Sequence, residues 1–190
     1  MLFRSWTPLH YAVVHRNRQL VTALCNIISG NKRRAPQDFY GRTPLHYIYL
    51  FKNDPLDDVV SYIRRLSWME NCADKDWRGM TPLHWYTSVG NHNAVHAFLS
   101  NTSDRMQIPK ECDLAGRYLS HWAALGGSCR ILELLKDKDL INTTKDSYGY
   151  TPLDIAIQQG NKEAEEWLSE NYPDLKHERE QKQAKPRGFL

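Results

Sequence analysis

Histidine recurs at His10, His46, His84 and His121, spaced 36, 38 and 37 residues apart. An imidazole suits acid–base work near neutral pH and is also a common metal ligand. His92 and His96 stand four apart, a spacing that puts two imidazoles on one helix face. Between them lie Asn93, Ala94 and Val95, so the glutamate of a metalloprotease helix is missing and no third ligand accompanies the pair. No nucleophile is matched with a base, no Gly-rich loop is arranged for phosphate, and no carboxylate pair stands in a recognisable frame. The reading is of a chain with no catalytic residues, no metal ligands and no cofactor, and hence of a non-enzyme.

The cysteines add no chemistry. Cys25, Cys72, Cys112 and Cys129 are scattered, without the close pairs of a zinc motif or the regular spacing of a disulfide framework. Cys25 and Cys129 fall in apolar helical stretches and are expected to be small buried hydrophobes. A reducing, cytoplasmic setting fits such usage.

What positions the histidines is a repeat. Thr-Pro-Leu-His stands at residues 7–10, 43–46 and 81–84; Tyr118-Leu119-Ser120-His121 is a degenerate copy and Thr151-Pro152-Leu153-Asp154 a fifth. Asp-x-x-Gly precedes the last four, at Asp38/Gly41, Asp76/Gly79, Asp113/Gly116 and Asp146/Gly149. Gly admits the positive φ of a tight turn, and Asp bonds to its own backbone. Thr then caps a helix, with Pro at its first position, where a missing N–H costs nothing. A second amphipathic helix follows, as in Val59, Val60, Ile63 and Leu66, or Ile131, Leu134 and Leu135.

Asp-x-x-Gly-x-Thr-Pro-Leu-His followed by an amphipathic helix resembles the ankyrin repeat. The resemblance implies an all-α solenoid of helix-turn-helix units joined by β-turn hairpin loops, each unit burying its apolar face against its neighbours. It spans residues 1–172, with repeats near 1–37, 38–75, 76–112, 113–145 and 146–172, then a charged tail at 173–190. It also assigns the recurrent His to hydrogen bonds with the backbone of the adjacent unit. The chain departs from the family pattern in three places. The first unit lacks Asp-x-x-Gly, extra residues fall at 32–36, 52–55 and 102–110, and the fourth unit has lost Thr and Pro. The fifth unit's second helix carries Glu163, Glu165, Glu166 and Glu170, a polar face suited to a terminal cap.

Family geometry places partner contacts on a concave side built from hairpin tips and first-helix ends. Carried over position by position, it selects Phe39, Tyr40 and Arg42, then Trp77, Arg78 and Met80, then Leu114, Ala115 and Arg117, then Ser147, Tyr148 and Tyr150, with Phe51 among the first-helix ends. Phe39, Tyr40, Arg42, Phe51, Trp77, Arg78, Met80, Arg117, Tyr148 and Tyr150 form the expected partner-binding set, because Trp, Tyr and Arg dominate interface energetics. The expected partner is another protein, within a multi-subunit complex.

Charge supports that choice over nucleic acid. The net charge is +3, and the whole excess lies in residues 176–190. A neutral body lacks the basic stripe that phosphate neutralisation requires. A second reading is a nucleotide- or oligonucleotide-sensing module, stacking bases on the aromatics beside Arg. A third is the binding fragment of a longer multidomain protein. No apolar run reaches the ~20 residues of a membrane span.

Overall fold

The computed structural model describes residues 6–30, 36–67, 73–101 and 112–184. Within them the chain forms α1 (Pro8–Val14), α2 (Arg18–Gly30), a 3-10 helix (Pro44–Phe51), α3 (Leu56–Ser67), α4 (Pro82–Ser88), α5 (His92–Asn101), α6 (Leu119–Gly126), α7 (Cys129–Asp137), α8 (Pro152–Gln159), α9 (Lys162–Asn171) and α10 (Pro173–Ala184). The expected insertions at 32–36, apart from Pro36, and at 102–110 lie outside the described residues, as does the tail beyond 184.

The helices stack in two rows. The first helices pack in sequence, α1 on the 3-10 helix, that on α4, α4 on α6 and α6 on α8; the second helices follow as α2, α3, α5, α7 and α9. The Leu of four motifs lies between the rows, Leu9, Leu45, Leu83 and Leu153, and Ser120 holds that place in the fourth unit; all are buried. Val59, Ile63 and Leu66 of α3, Phe98 of α5, Ile131 and Leu135 of α7, and Leu168 of α9 meet them from the other side. Burying such a side chain is worth about 1.5–3 kcal/mol, and no single pair of helices could bury both of its sides.

Each first helix starts as its residues dictate. Thr7, Thr43 and Thr81 take extended backbone conformations, with Pro next. The His three residues on folds back, its Nδ1 accepting the Thr N–H at 3.3, 3.0 and 3.2 Å and meeting the Thr hydroxyl at 2.9, 3.0 and 2.8 Å. In the degenerate fourth unit α6 persists, but Tyr118 supplies only its N–H, at 3.2 Å from His121 Nδ1. In the fifth, Asp154 does the same work for Thr151 through one carboxylate oxygen, at 3.0 Å to the N–H and 2.8 Å to the hydroxyl.

Two elements differ from expectation. Residues 44–51 form a 3-10 rather than an α-helix. The run Tyr47-Ile48-Tyr49 lacks the small residue that α1, α6 and α8 carry as Ala12, Ala123 and Ala156. α4 also lacks it, with Tyr86 at that place, and is α-helical. The residues after 172 continue as α10, which packs on α9 with Leu175 buried. One apolar anchor in the first turn is enough to seat a helix that is otherwise charged.

Candidate docking face

The hairpins are built by their Asp residues. One oxygen of each carboxylate accepts two backbone N–H groups, from the residues two and four places on: Tyr40 and Arg42 for Asp38, Arg78 and Met80 for Asp76, Ala115 and Arg117 for Asp113, Tyr148 and Tyr150 for Asp146. These bonds lie between 2.8 and 2.9 Å. Hairpins join edge to edge: the N–H groups of Trp77, Leu114 and Ser147 donate to the carbonyls of Tyr40, Arg78 and Ala115. Gly79 is required where it stands. Its φ is +75°, and a Cβ there would lie 2.8 Å from the Leu114 nitrogen.

The His side chains tie one unit to the next. Because Nδ1 accepts an N–H, Nε2 carries the proton and donates it onward, from His10 to the Arg42 carbonyl at 3.0 Å, from His46 to that of Met80 at 3.2 Å and from His121 to that of Tyr150 at 3.2 Å. Burial pushes the pKa of His10 and His121 down and that of His46 down to about 4, although these carbonyls pull the other way. The imidazoles are therefore neutral near pH 7. His92 and His96 stack, with ring centroids 6.1 Å apart. Among the described residues no group of three or more His, Cys, Asp or Glu is placed to hold a metal ion.

The residue directly after each Asp points to solvent. Phe39 is 77%, Trp77 61% and Leu114 77% exposed, and they follow one another along the hairpin edge. Phe39, Tyr40 and Trp77 touch, with Tyr40 and Trp77 centroids 4.9 Å apart and Phe39 and Trp77 6.5 Å apart. Tyr148 and Tyr150 stand exposed on the last hairpin. Leu114 belongs on this surface although the expected set omitted it; its place directly after Asp113, matching Phe39 and Trp77, was the available signal.

Three expected members turn inward. Phe51 is fully buried, edge-on to Tyr62 at 5.0 Å under the Arg16 guanidinium, and is removed from the surface. The end of a short first helix faces the second helix rather than solvent, and a ring fills that space. Met80 is also removed. The position after the hairpin Gly folds back over the first helix, so a flexible apolar side chain there enters the interior, and Met80 is 1% exposed. Arg42 occupies the equivalent position and is held internally. It pairs with Asp38 at 2.9 Å and lies over the rings of Tyr40, Tyr47 and Trp85. Burial pushes the Asp38 pKa up, but hydrogen bonds from Tyr47 and Arg42 and the Arg42 charge outweigh it, so the carboxyl stays below its ordinary value.

Arg78 and Arg117 converge elsewhere. Their guanidinium carbons lie over the Trp122 ring, at 5.9 and 5.4 Å from its centroid. Arg117 also reaches Asp146 at 3.2 Å and the Tyr148 ring at 5.6 Å. Beside them opens a cleft of about 250 Å³ lined by Arg117, His121, Trp122, Leu125, Tyr148, Tyr150, Ile155 and Gln158. The part of Trp122 in this cleft shows only once the fourth and fifth hairpins are side by side.

Known proteins share this architecture. A family model described as Ankyrin repeats (3 copies) matches residues 105–179. The chain is 28% identical over 106 residues to the ANK repeat-containing protein nipk-1 of Caenorhabditis elegans, covering 53% of this chain and 17% of that protein. It is 27% identical over 157 residues to an ankyrin repeat protein of Rickettsia felis, covering 83% and 36%. It thus spans well under half the length of either relative. The crystal structure of the ankyrin repeat domain of Bcl-3, described there as a unique member of the IkappaB protein family, superposes with a TM-score of 0.75 at 20% identity, over 88% of this chain and 72% of that one. The turn, cap and histidine bridge that the sequence repeats are the ones that fold this solenoid, and the chain has the ankyrin-repeat fold.

Proposed function

We propose that the chain is a non-enzymatic docking module, an adaptor or scaffold subunit that holds a partner protein against its concave hairpin face. Ankyrin repeats generally mediate protein–protein interaction, and among the described residues no helix is long and apolar enough to cross a membrane. The observation that carries the reading is the line of Phe39, Trp77 and Leu114, three large apolar side chains exposed on successive hairpins. Such a contiguous patch costs solubility unless something covers it, and aromatic anchors beside Arg are the residues that give interfaces their affinity. The setting that fits is a multi-subunit complex in a reducing, cytoplasmic compartment.

Photo-crosslinking tests this reading. A benzophenone amino acid is placed at Trp77 or Leu114, and in a control at exposed Glu133 on α7, and the protein is irradiated in native extract. The expected result is one crosslinked protein from both hairpin positions, absent from Glu133 and lost with Phe39→Asp. Equal labelling from all three positions, or none from the hairpins, overturns the proposal.

A further inference from the structure

At the base of the second and third hairpins the second carboxylate oxygen of each Asp finds a donor within the protein. The second oxygen of Asp38 accepts the Tyr47 hydroxyl at 2.5 Å, and that of Asp76 accepts Trp85 Nε1–H at 3.0 Å. Trp122 holds the same place in the fourth unit, nine residues after Asp113. Its Nε1–H is buried yet has no acceptor among the described residues, while the side chain as a whole is only 5% exposed. A buried indole N–H left unsatisfied is costly, of the order of 1–3 kcal/mol. Such a group at the edge of a cleft calls for an acceptor from outside.

The charge around it sets which acceptor. Two guanidinium groups flank the Trp122 ring, and Arg117 is balanced by Asp146. Arg78 is exposed and has no carboxylate partner among the described residues. His121, in the wall, is kept neutral by burial. Among the described residues one positive charge is left uncompensated there. That matches a singly charged carboxylate, whereas a phosphate dianion would leave an excess negative charge in a half-closed apolar site. Trp77 and Leu114, directly beside Arg78 and on the next hairpin, offer apolar footing to either side.

We infer that the Trp122–Arg117 cleft, with Arg78 over the Trp122 ring beside it, takes one Asp or Glu side chain of an extended segment of the partner protein, whose apolar neighbours rest on Trp77 and Leu114. The carboxylate accepts from the Arg78 guanidinium and the Trp122 indole. This rests on the docking reading above and adds the chemistry of the anchor to it.

The test is selection of a random 12-residue peptide library, displayed on phage, against the full chain, in parallel with Arg78→Glu and with Trp77→Ala/Leu114→Ala. Arg78 is exposed, so its replacement leaves the fold intact, which a circular-dichroism melt verifies. The expected wild-type winners carry one invariant Asp or Glu between apolar residues. Arg78→Glu replaces that preference with Lys or Arg, and Arg78→Lys restores it. Changing the invariant acid to its amide weakens wild-type binding about 10- to 100-fold, the usual range for a charge-assisted bond, and Arg78→Gln binding less than twofold. Winners that lack an acid, or whose acid preference persists in Arg78→Glu, overturn the anchor and leave the docking face standing. Binding unaffected by Trp77→Ala/Leu114→Ala overturns the docking reading and the anchor together. Displacement of wild-type peptides by millimolar inorganic phosphate, but not by acetate at equal ionic strength, overturns the carboxylate in favour of a phosphate ligand.

Discussion

The second and fourth hairpins share one frame and differ in how far they satisfy themselves. Asp38 accepts two backbone N–H groups, the Arg42 guanidinium and the Tyr47 hydroxyl, and Arg42 is further enclosed by three aromatic rings. Asp113 accepts the same two backbone groups and, among the described residues, nothing more, while Trp122 keeps an unpaired N–H. One hairpin is closed and the other is open. In a repeat array the frame is set by a few residues per unit, and the remaining polar groups are free to serve either the fold or a partner.

Removing the hub of the closed hairpin is expected to have the largest effect. Asp38→Ala strands a guanidinium that is only 13% exposed and a buried phenol. It should cost about 3 kcal/mol more than Asp113→Ala, because breaking a buried pair leaves an uncompensated charge. Urea midpoints of the two variants measure the gap. Equal losses would erase the distinction between closed and open.

Acid should act next, through the histidine bridges. The folded pKa of His46 is depressed to about 4 from an ordinary 6.5, so above pH 6.5 both folded and unfolded chains are neutral there. As pH falls below 6.5 the unfolded chain takes up the proton first, and stability drops until the folded pKa is passed. The loss amounts to about 3 kcal/mol by pH 4, at 1.36 kcal/mol per pKa unit. His10 and His121 are shifted the same way and add to it. Asp38 and Asp146 also sit below their ordinary value of 3.8, so their contribution fades at still lower pH and does not blur this window. The fifth unit has Asp154 in place of the imidazole. Thermal melts between pH 7 and 4 should show the slope, and His46→Gln should flatten it. An unchanged slope in that variant would place the acid sensitivity elsewhere.

The glycine turns divide internal from terminal hairpins. Gly79 and Gly149 both have positive φ, +75° and +82°, so Ala is strained at either. Only Gly79 faces backbone of the next hairpin, with the Leu114 nitrogen at 2.8 Å from the added carbon; nothing lies within 4 Å at Gly149. Gly149→Ala should cost about 1 kcal/mol and Gly79→Ala about 2–3 kcal/mol, the excess being the clash. Urea titrations of both variants check the order.

The frame was legible because each of its features is a local rule repeated: turn Asp and Gly, Thr cap, Pro at the first helical position, Leu inward. The exposed row was partly legible, since Phe39 and Trp77 follow their Asp directly. Leu114 holds the same place directly after Asp113 and belongs with them. Phe51 and Met80 were misplaced for a different reason. Position in a motif fixes where the backbone goes, but whether a side chain turns in depends on the volume left by the neighbouring helix. The same limit hid the 3-10 form of residues 44–51. Arg42 and Arg117 are identical in type and in motif position; their different partners, Asp38 within the unit and Asp146 in the next, emerge only from packing.

The smallest expected effect is also the most direct comparison of the two hairpins. Trp85 and Trp122 occupy equivalent places, and replacing either by Phe removes the indole N–H while keeping a large ring. Trp85→Phe deletes a bond to Asp76 and leaves a carboxylate oxygen without its donor, which should cost about 1–3 kcal/mol. Trp122→Phe deletes a group that has no acceptor among the described residues, so the free protein loses only the packing of the smaller ring and regains the desolvation cost. Its urea midpoint should move by less than half as much, or rise. Affinity should show the reverse order: Trp122→Phe weakens peptides bearing the acidic anchor, and Trp85→Phe leaves them nearly unchanged. A destabilisation by Trp122→Phe equal to that by Trp85→Phe would mean that the fourth hairpin already uses its indole internally, and the open site would close.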